Sequence, residues 1–528
     1  MTDQTTAPLS ETATASNLSA AVQDWATALG REHVLTTEEE VSNFTDPYAP
    51  ASTRPLAPAV LLPATVEEVQ QVLKIAQDHG VSVWVNSQGR NNGYGGSAAA
   101  EVDTVVVSLR RMNQVLEINE ELAYIVVEPG VSYFDLYEAV RQSGKRLMID
   151  VPDLGWGSVL GNALEHGNGY TLNGDHAASV CGMEVVLPDG EVIRTGMGAL
   201  DGAQTWHLNK RGFGPSVEGL FMQSNLGVVT KMGLWVMPRP EAYFDGWLTI
   251  ERDEDLEELI DRFRPFMLDG TVGNCPSIFN PHCALSTKVT RADLWDQPGP
   301  LPQDVALSIG RSQGLGAWTM RFALYGDEAV VARHRQRIED AFASLEGATV
   351  TGSLLDLDRV VLESEDLDQK QKVQAGVPDL SMLKMLDWDG APGGHLSFAS
   401  TVPLTGRDVR RIVSLVRTEQ ESQGIDYHAG ILLYQRFAIH ASLLIYNLDD
   451  EARYQTVRDI YTKLVVEAAR LGYGEYRAHV DFMDLVSDQY GHNDHALRRF
   501  VTSLKAHLDP KGILAPGKQG IGSSRHRN

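Results

Sequence analysis

At 528 residues, 43% of them apolar and 22% charged, the chain reads as a globular protein too long for one ordinary hydrophobic core, so two or three domains are expected. Its net charge of −25 argues against nucleic acid and anionic membrane as partners, since the phosphate term is repulsive over most of the surface. The longest early apolar run, 58–64, carries prolines and is far too short to cross a bilayer.

Residues 1–17 are polar and rich in Thr, Ala and Ser. Without the basic flank and apolar segment of a signal peptide, they read as a flexible tail. The closing residues, Ser524-Arg-His-Arg-Asn528, carry no peroxisomal or lipidation motif, and a cytoplasmic location is the expectation. Cys181, Cys275 and Cys283 lack metal-like spacing, which suggests structural thiols in a reducing compartment and no metal site.

In chain order, Thr65-Val-Glu-Glu68 is a capping box opening a helix to about Asp78, with Val69, Val72, Leu73 and Ala76 on one face and Gly80 as its stop. A buried strand over 81–86 follows, then a glycine loop, 87–96, that can be neither helix nor strand. Strands are expected at 104–108 and 124–128, and a second capping box, Ser132-Tyr-Phe-Asp135, opens another helix. From about Ala242 the texture changes. Strand patterns at 243–250, 318–325, 396–401, 431–434 and 441–446 alternate with amphipathic helices, of which 327–345 is the clearest. Gly474 onward is again glycine-rich motif.

Two segments suggest chemistry. Gly89, Gly93, Gly95 and Gly96 allow backbone N–H groups to approach a pyrophosphate, although the spacing is neither the dinucleotide fingerprint nor a P-loop and a tight turn between strands explains the glycines equally well. Tyr94 among those glycines is harder to explain as turn chemistry. Asp153 heads a second glycine-rich stretch, 153–170, where a turn or N-cap role competes with a functional one.

The phrases Asn92-Gly-Tyr-Gly-Gly96, Pro152-Asp-Leu-Gly-Trp-Gly-Ser158, Gly169-Tyr-Thr-Leu-Asn-Gly-Asp-His176, Arg194-Thr-Gly-Met-Gly-Ala199, Gln223-Ser-Asn-Leu-Gly-Val-Val-Thr230, Gly474-Glu-Tyr-Arg477 and Ile513-Leu-Ala-Pro-Gly-Lys518 stand in an order that resembles the vanillyl-alcohol oxidase family of covalent flavoproteins, over about 40–522 and nearest its eugenol-oxidising branch. The resemblance implies an α+β, two-domain FAD-binding fold of the PCMH (para-cresol methylhydroxylase) type. Its FAD-binding domain comes from 18–239 and 475–528, and an α+β cap domain from 240–474 lies over the flavin.

It further implies FAD bound covalently, as an 8α-histidyl adduct, to His395 in Gly393-Gly-His-Leu-Ser-Phe398; a lone histidine before a β run would otherwise read as a core or surface residue. Flavin contacts fall on Ser87, Gly89, Arg90, Asn91, Asn92 and Gly93, on Leu154, Gly157, Ser158 and Asn162, and on Gly227, Val229, Arg477 and Lys518. Tyr94, Tyr476 and Arg477 match the trio that binds a phenolate. Asp153 matches the catalytic carboxylate beside flavin N5, and Tyr170, Ser397, Gly430 and Leu432 fall on the substrate pocket.

The activity implied is oxidation of para-substituted phenols. Hydride leaves the benzylic carbon for flavin N5, a para-quinone methide forms, and O2 becomes H2O2. Handing electrons to a cytochrome is the competing reading, and a non-catalytic flavin carrier a weaker one. Departures from the family pattern at Leu172-Asn173, Ile439 and Gly430 put the preferred ring substituents in question. No insertion linked to higher assembly stands between Gly198 and Gly212, and a homodimer is expected.

Overall fold

The structure is a computed structural model that describes residues 11–357 and 367–523. The flexible tail expected over 1–17 runs into a described helix. A helix, Glu11–Leu29, already includes residues 11–17, while 1–10 and the closing pentapeptide 524–528 lie outside the described residues. Ala21, Trp25 and Leu29 recur at four-residue spacing on its buried face, and Trp25 Nε1 donates to the Val72 carbonyl at 3.2 Å.

The helix expected after Thr65 spans Val66–His79 and ends on Gly80 at φ 66°. Thr65 Oγ1 accepts from Glu68 N, but the Glu68 carboxylate reaches one residue further back, to Ala64 N at 2.6 Å. The second box closes as expected, Ser132 and Asp135 capping Tyr133–Ser143 reciprocally.

Val34–Leu35, Val60–Leu61, Val105–Ser108 and Val83–Asn86 form one sheet in that order, parallel across its last three strands. The returning chain joins this sheet by a bridge from Leu514 to Val83. A second, antiparallel sheet runs Val115–Asn119, Tyr124–Val127, Val228–Trp235, Val180–Val186, Val192–Arg194.

The third sheet has eight strands and takes all of them from 242–475. Its order is Ala348–Asp356, Ala242–Ile250, Trp318–Gly326, Ser277–Phe279, His428–Leu433, Phe437–Asn447, Gly393–Pro403, Gly474–Glu475. Strand periodicity assigns its two faces. Met320, Phe322, Ile431, Leu396 and Phe398 point to the core shared with helices Leu256–Leu268, Gly406–Ser422 and Glu451–Arg470. The alternate residues, Arg321, Gly430, Leu432 and His395, point the other way, into a cavity. Register sets them in rows: Arg321 pairs Ser277, which pairs Leu432, and Phe279 pairs Gly430, which pairs Ala441.

Candidate active site

Two cavities lie among the segments singled out in the sequence. The first is a long groove walled by Ser87, Gly89, Arg90 and Asn91, by Gly157, Ser158 and Asn162, by Gly227 and Val229, and by Arg477 and Lys518. Two glycines in these segments, Gly161 and Gly93, have no room for a side chain. A Cβ on Gly161 would stand 2.2 Å from Ser87 Oγ, and one on Gly93, at φ 76°, would stand 2.4 Å from His395 Nε2.

The groove fits a large polar cofactor. Both amide atoms of Asn86 and the Arg477 Nε are buried on its wall without partners, and such groups are retained where a ligand satisfies them. Lys518 is held by an ion pair to Glu165, another wall residue that sequence reasoning missed. Asn225 ties the returning chain to the groove through the carbonyls of Ala515 and Ile521.

The second cavity, of about 230 Å³, is bounded by Asp153, Leu154, Tyr170, His395, Gly430 and Leu432. Leu154 thus lies on this aryl-sized space and not on the groove, because it follows Asp153 around the turn. Asn92 and Gly93 line neither cavity: Gly93 is packed against the His395 ring and Ser397 Oγ. Ser397 is also set back from the space, 4% exposed and hydrogen-bonded to Tyr94. Tyr94 and Tyr476 are half-buried and line neither cavity themselves; Arg477, which touches Tyr94, lines the groove.

Tyr94, Tyr476 and Arg477 meet. The Arg477 guanidinium carbon lies 4.3 Å from the centre of the Tyr94 ring, and Arg477 Nη2 donates to Asn91 Oδ1. Asn168 orients the third member: Tyr434 O–H donates to its carbonyl oxygen, and its amide donates to the Tyr476 oxygen at 2.9 Å. Tyr476 therefore keeps its own proton to donate elsewhere. Burial pushes both tyrosines up, with Arg477 opposing, so they stay protonated donors.

Asp153 is gripped from three sides: Tyr170 O–H donates to Oδ2 at 2.6 Å, Gln369 reaches Oδ1 at 3.3 Å, and Arg321 stands 3.5 Å away. Arg321 in turn lies 4.0 Å over the Tyr170 ring and donates to Ser277. His395 is buried, its Nδ1 without a partner and its ring 5.2 Å from that of Tyr48. Burial pulls it down to about 4, with Asp46 opposing, so the imidazole is neutral and nucleophilic at ordinary pH. Arg321, Gln369, Lys370 and His428 also line the aryl cavity and were not singled out in the sequence.

A cofactor groove lined by glycine, with Arg477 on its wall, and a separate cavity holding Asp153 and His395 define a flavoprotein oxidoreductase. Comparisons agree. The FAD binding domain family matches residues 57–196, and the C-terminal domain of FAD linked oxidases matches 314–519. The flavoprotein subunit of 4-cresol dehydrogenase [hydroxylating] from Pseudomonas putida is 32% identical over 99% of both chains. The 1'-carboxy-chondrochloren decarboxylase of Chondromyces crocatus is 30% identical over 93% of this chain and 95% of its own. Among solved structures, the 4-ethylphenol oxidase of Gulosibacter chungangensis, in an isoeugenol complex, superposes with a TM-score of 0.92 at 37% identity, covering 97% of this chain and 99% of that one. Substrate-bound p-cresol methylhydroxylase gives 0.91 at 29%, covering 97% and 98%. The chain belongs to the vanillyl-alcohol oxidase/p-cresol methylhydroxylase family, with that family's two-domain FAD-binding fold.

Proposed function

We propose that this chain oxidises para-substituted phenols at the benzylic carbon and passes the electrons to oxygen. The observation that carries the reading is the meeting of Tyr94, Tyr476 and Arg477, with Gly93 beside the His395 ring, which lines the cavity that also holds Asp153. Two neutral donors and one guanidinium are what a buried phenolate needs, and the likeness to a 4-ethylphenol oxidase supports it. FAD, when bound, supplies the hydride acceptor and returns its electrons to oxygen as hydrogen peroxide.

The chain's own residues then have defined tasks. Tyr94 and Tyr476 hydrogen-bond the phenol oxygen while Arg477 balances its charge, so electron density is pushed toward the para position. Loss of hydride from the benzylic carbon leaves a neutral quinone methide. When water adds at that carbon, Asp153 takes its proton and the ring oxygen regains its negative charge; a benzylic alcohol instead surrenders its O–H proton to Asp153 and becomes the aldehyde. Gly430 and Leu432 form the floor under the ring. His395 is the residue we propose for covalent attachment to the FAD 8α-methyl, its neutral, cavity-facing imidazole being suited to it.

The reading places the chain as a cytoplasmic homodimer, in keeping with three free cysteines; among the described residues no helix is long and apolar enough to cross a membrane. One relative favours a second reading, electron transfer to a cytochrome, since a dehydrogenase is 32% identical over the whole length. Oxygen uptake decides. An oxidase consumes oxygen and releases equimolar peroxide with 4-ethylphenol, whereas a dehydrogenase reduces only an added carrier. A flavin that no para-alkylphenol bleaches anaerobically would sink both.

A further inference from the structure

The eight-stranded sheet gives the aryl cavity a direction. Ser397, which bonds Tyr94, sits on strand Gly393–Pro403; Arg321, beside Asp153, sits on Trp318–Gly326, four strands away in the sheet order. A phenol with its oxygen at Tyr94 and its benzylic carbon at Asp153 therefore sends its para substituent toward Arg321.

Near Arg321 stands a second cation that the phenol chemistry does not use. Lys370 lines the cavity with its Nζ 3.7 Å from the centre of the Phe279 ring and 5.1 Å from that of Trp247. Phe279 is itself a floor residue, paired with Gly430. Among the described residues Lys370 has no ion pair or hydrogen bond, only these two aromatic faces. Arg321 is 4% exposed and its Nη1 has no partner.

The carboxylates nearby do not balance them. Asp153 touches Arg321 alone of the two cations. Asp245 accepts from Trp247 and Gln374, and burial pushes it toward its neutral form. Asp368 is exposed and caps its own helix at Gln371. Among the described residues this end of the cavity thus carries two cations against one carboxylate. Burial, then Arg321, pulls Lys370 down to about 8, as expected of a desolvated ammonium with only cation–π support. An uncompensated buried charge is costly, and an anion delivered by a ligand relieves it.

We infer that the Lys370–Arg321 end of the cavity is a subsite for a carboxylate at the far end of the para substituent, so that para-hydroxyphenyl alkanoic acids are the substrate class that fits best. The subsite rests on the proposed phenol oxidation and narrows it. Lys370 supplies the point charge and the free Arg321 Nη1 a second donor, while Met382, Met385 and Leu386 leave the intervening chain an apolar passage.

The test uses the holoenzyme with matched pairs: 3-(4-hydroxyphenyl)propanoate and 4-(4-hydroxyphenyl)butanoate, each against its primary amide, with 4-ethylphenol as reference. Wild-type protein should turn over at least one acid with kcat/KM tenfold or more above its amide, mostly through KM. Lys370→Met should collapse that ratio to one or below, and Lys370→Arg should restore most of it. Equal kcat/KM for acids and amides, with 4-ethylphenol oxidised, overturns the subsite and leaves the phenol reading standing. An acid preference that survives Lys370→Met, or a Lys370→Met defect confined to the oxygen reaction, overturns it too. If no phenol in the set reduces the flavin, the proposed function fails and the subsite falls with it.

Discussion

Arg477 stacks its guanidinium 4.3 Å above the ring of Tyr94, a contact that joins the two ends of the chain. Tyr94 stands in the first glycine loop, and Arg477 follows the last strand of the eight-stranded sheet. The stack fixes the direction of the guanidinium plane, and Asn91 holds one of its nitrogens. A phenolate placed between Tyr94 and Tyr476 then meets a preset positive charge at little further cost in ordering.

Arg477→Lys should therefore lower kcat/KM for 4-ethylphenol by about 10- to 100-fold, the scale of a lost charge-assisted hydrogen bond. The para-methyl ether of the same substrate, which has no acidic proton, should leave the flavin oxidised under anaerobic mixing. Turnover of the ether at a rate near that of the phenol would remove the trio from the mechanism.

Asn168 gives a quieter prediction. It relays a hydrogen bond from Tyr434 to the Tyr476 oxygen and so leaves the Tyr476 proton free for the substrate. Asn168→Leu keeps the volume and removes the relay. Phenol binding should weaken by about three- to tenfold, the worth of one neutral hydrogen bond, and most of the change should appear in KM. A variant with unchanged KM would show that Tyr476 orients itself.

Asp153 is the proton acceptor in the proposed cycle, and Tyr170, Gln369 and Arg321 aim it. Asp153→Ala should slow flavin reduction by a benzylic alcohol by about a hundredfold or more, the usual contribution of a positioned base, with FAD retained. Tyr170→Phe, which removes one of the aiming contacts, should cost far less. Similar losses in the two variants would argue that Asp153 matters for the shape of the cavity and not for proton transfer.

These tests draw on residues of unequal legibility. Asp153, His395 and the Tyr476-Arg477 pair stand out only through the family resemblance, whereas the glycine loops could be found from the residues, since a glycine where a Cβ would strike His395 or Ser87 leaves a mark in the sequence itself. Arg321, Lys370 and His428 leave none. Their place depends on which strands pair, and Ser277–Phe279, only three residues long, joins the two halves of the large sheet. Ala348–Asp356 was not foreseen as a strand either, because its Thr, Gly and Ser residues lie on a largely exposed edge without apolar alternation. Helix Glu11–Leu29 was not foreseen, because the Thr-, Ala- and Ser-rich residues at its start read as a tail.

His395 is expected to hold FAD through a covalent bond. Acid-precipitated protein should stay yellow and its band should fluoresce on a denaturing gel. His395→Ala should release the flavin on precipitation, while the groove residues still bind it reversibly in the native protein. A colourless wild-type pellet would rule out the linkage without touching the FAD-binding assignment.

The stability of the fold should fall as pH drops below about 6.5, before most carboxylates titrate. His440 shows why. It is fully buried, its Nε2 hydrogen-bonded to the Tyr427 oxygen at 2.6 Å, and desolvation pulls it down to about 3. A second proton on the ring would leave a charge buried in this desolvated site. In the unfolded chain the same residue titrates near 6.5. Above that pH both states hold it neutral and the full stability is present. Below it only the unfolded chain takes the proton, so stability is lost at up to ~1.4 kcal/mol per pH unit for this one group. His428, pulled down to about 4 by burial, adds to the slope in the same direction. Chemical denaturation followed between pH 7 and 5 should show the decline, and His440→Asn should make it shallower by about 2 kcal/mol over pH 6.5 to 5. A variant as pH-sensitive as the wild type would mean that His440 gains a proton in the folded protein.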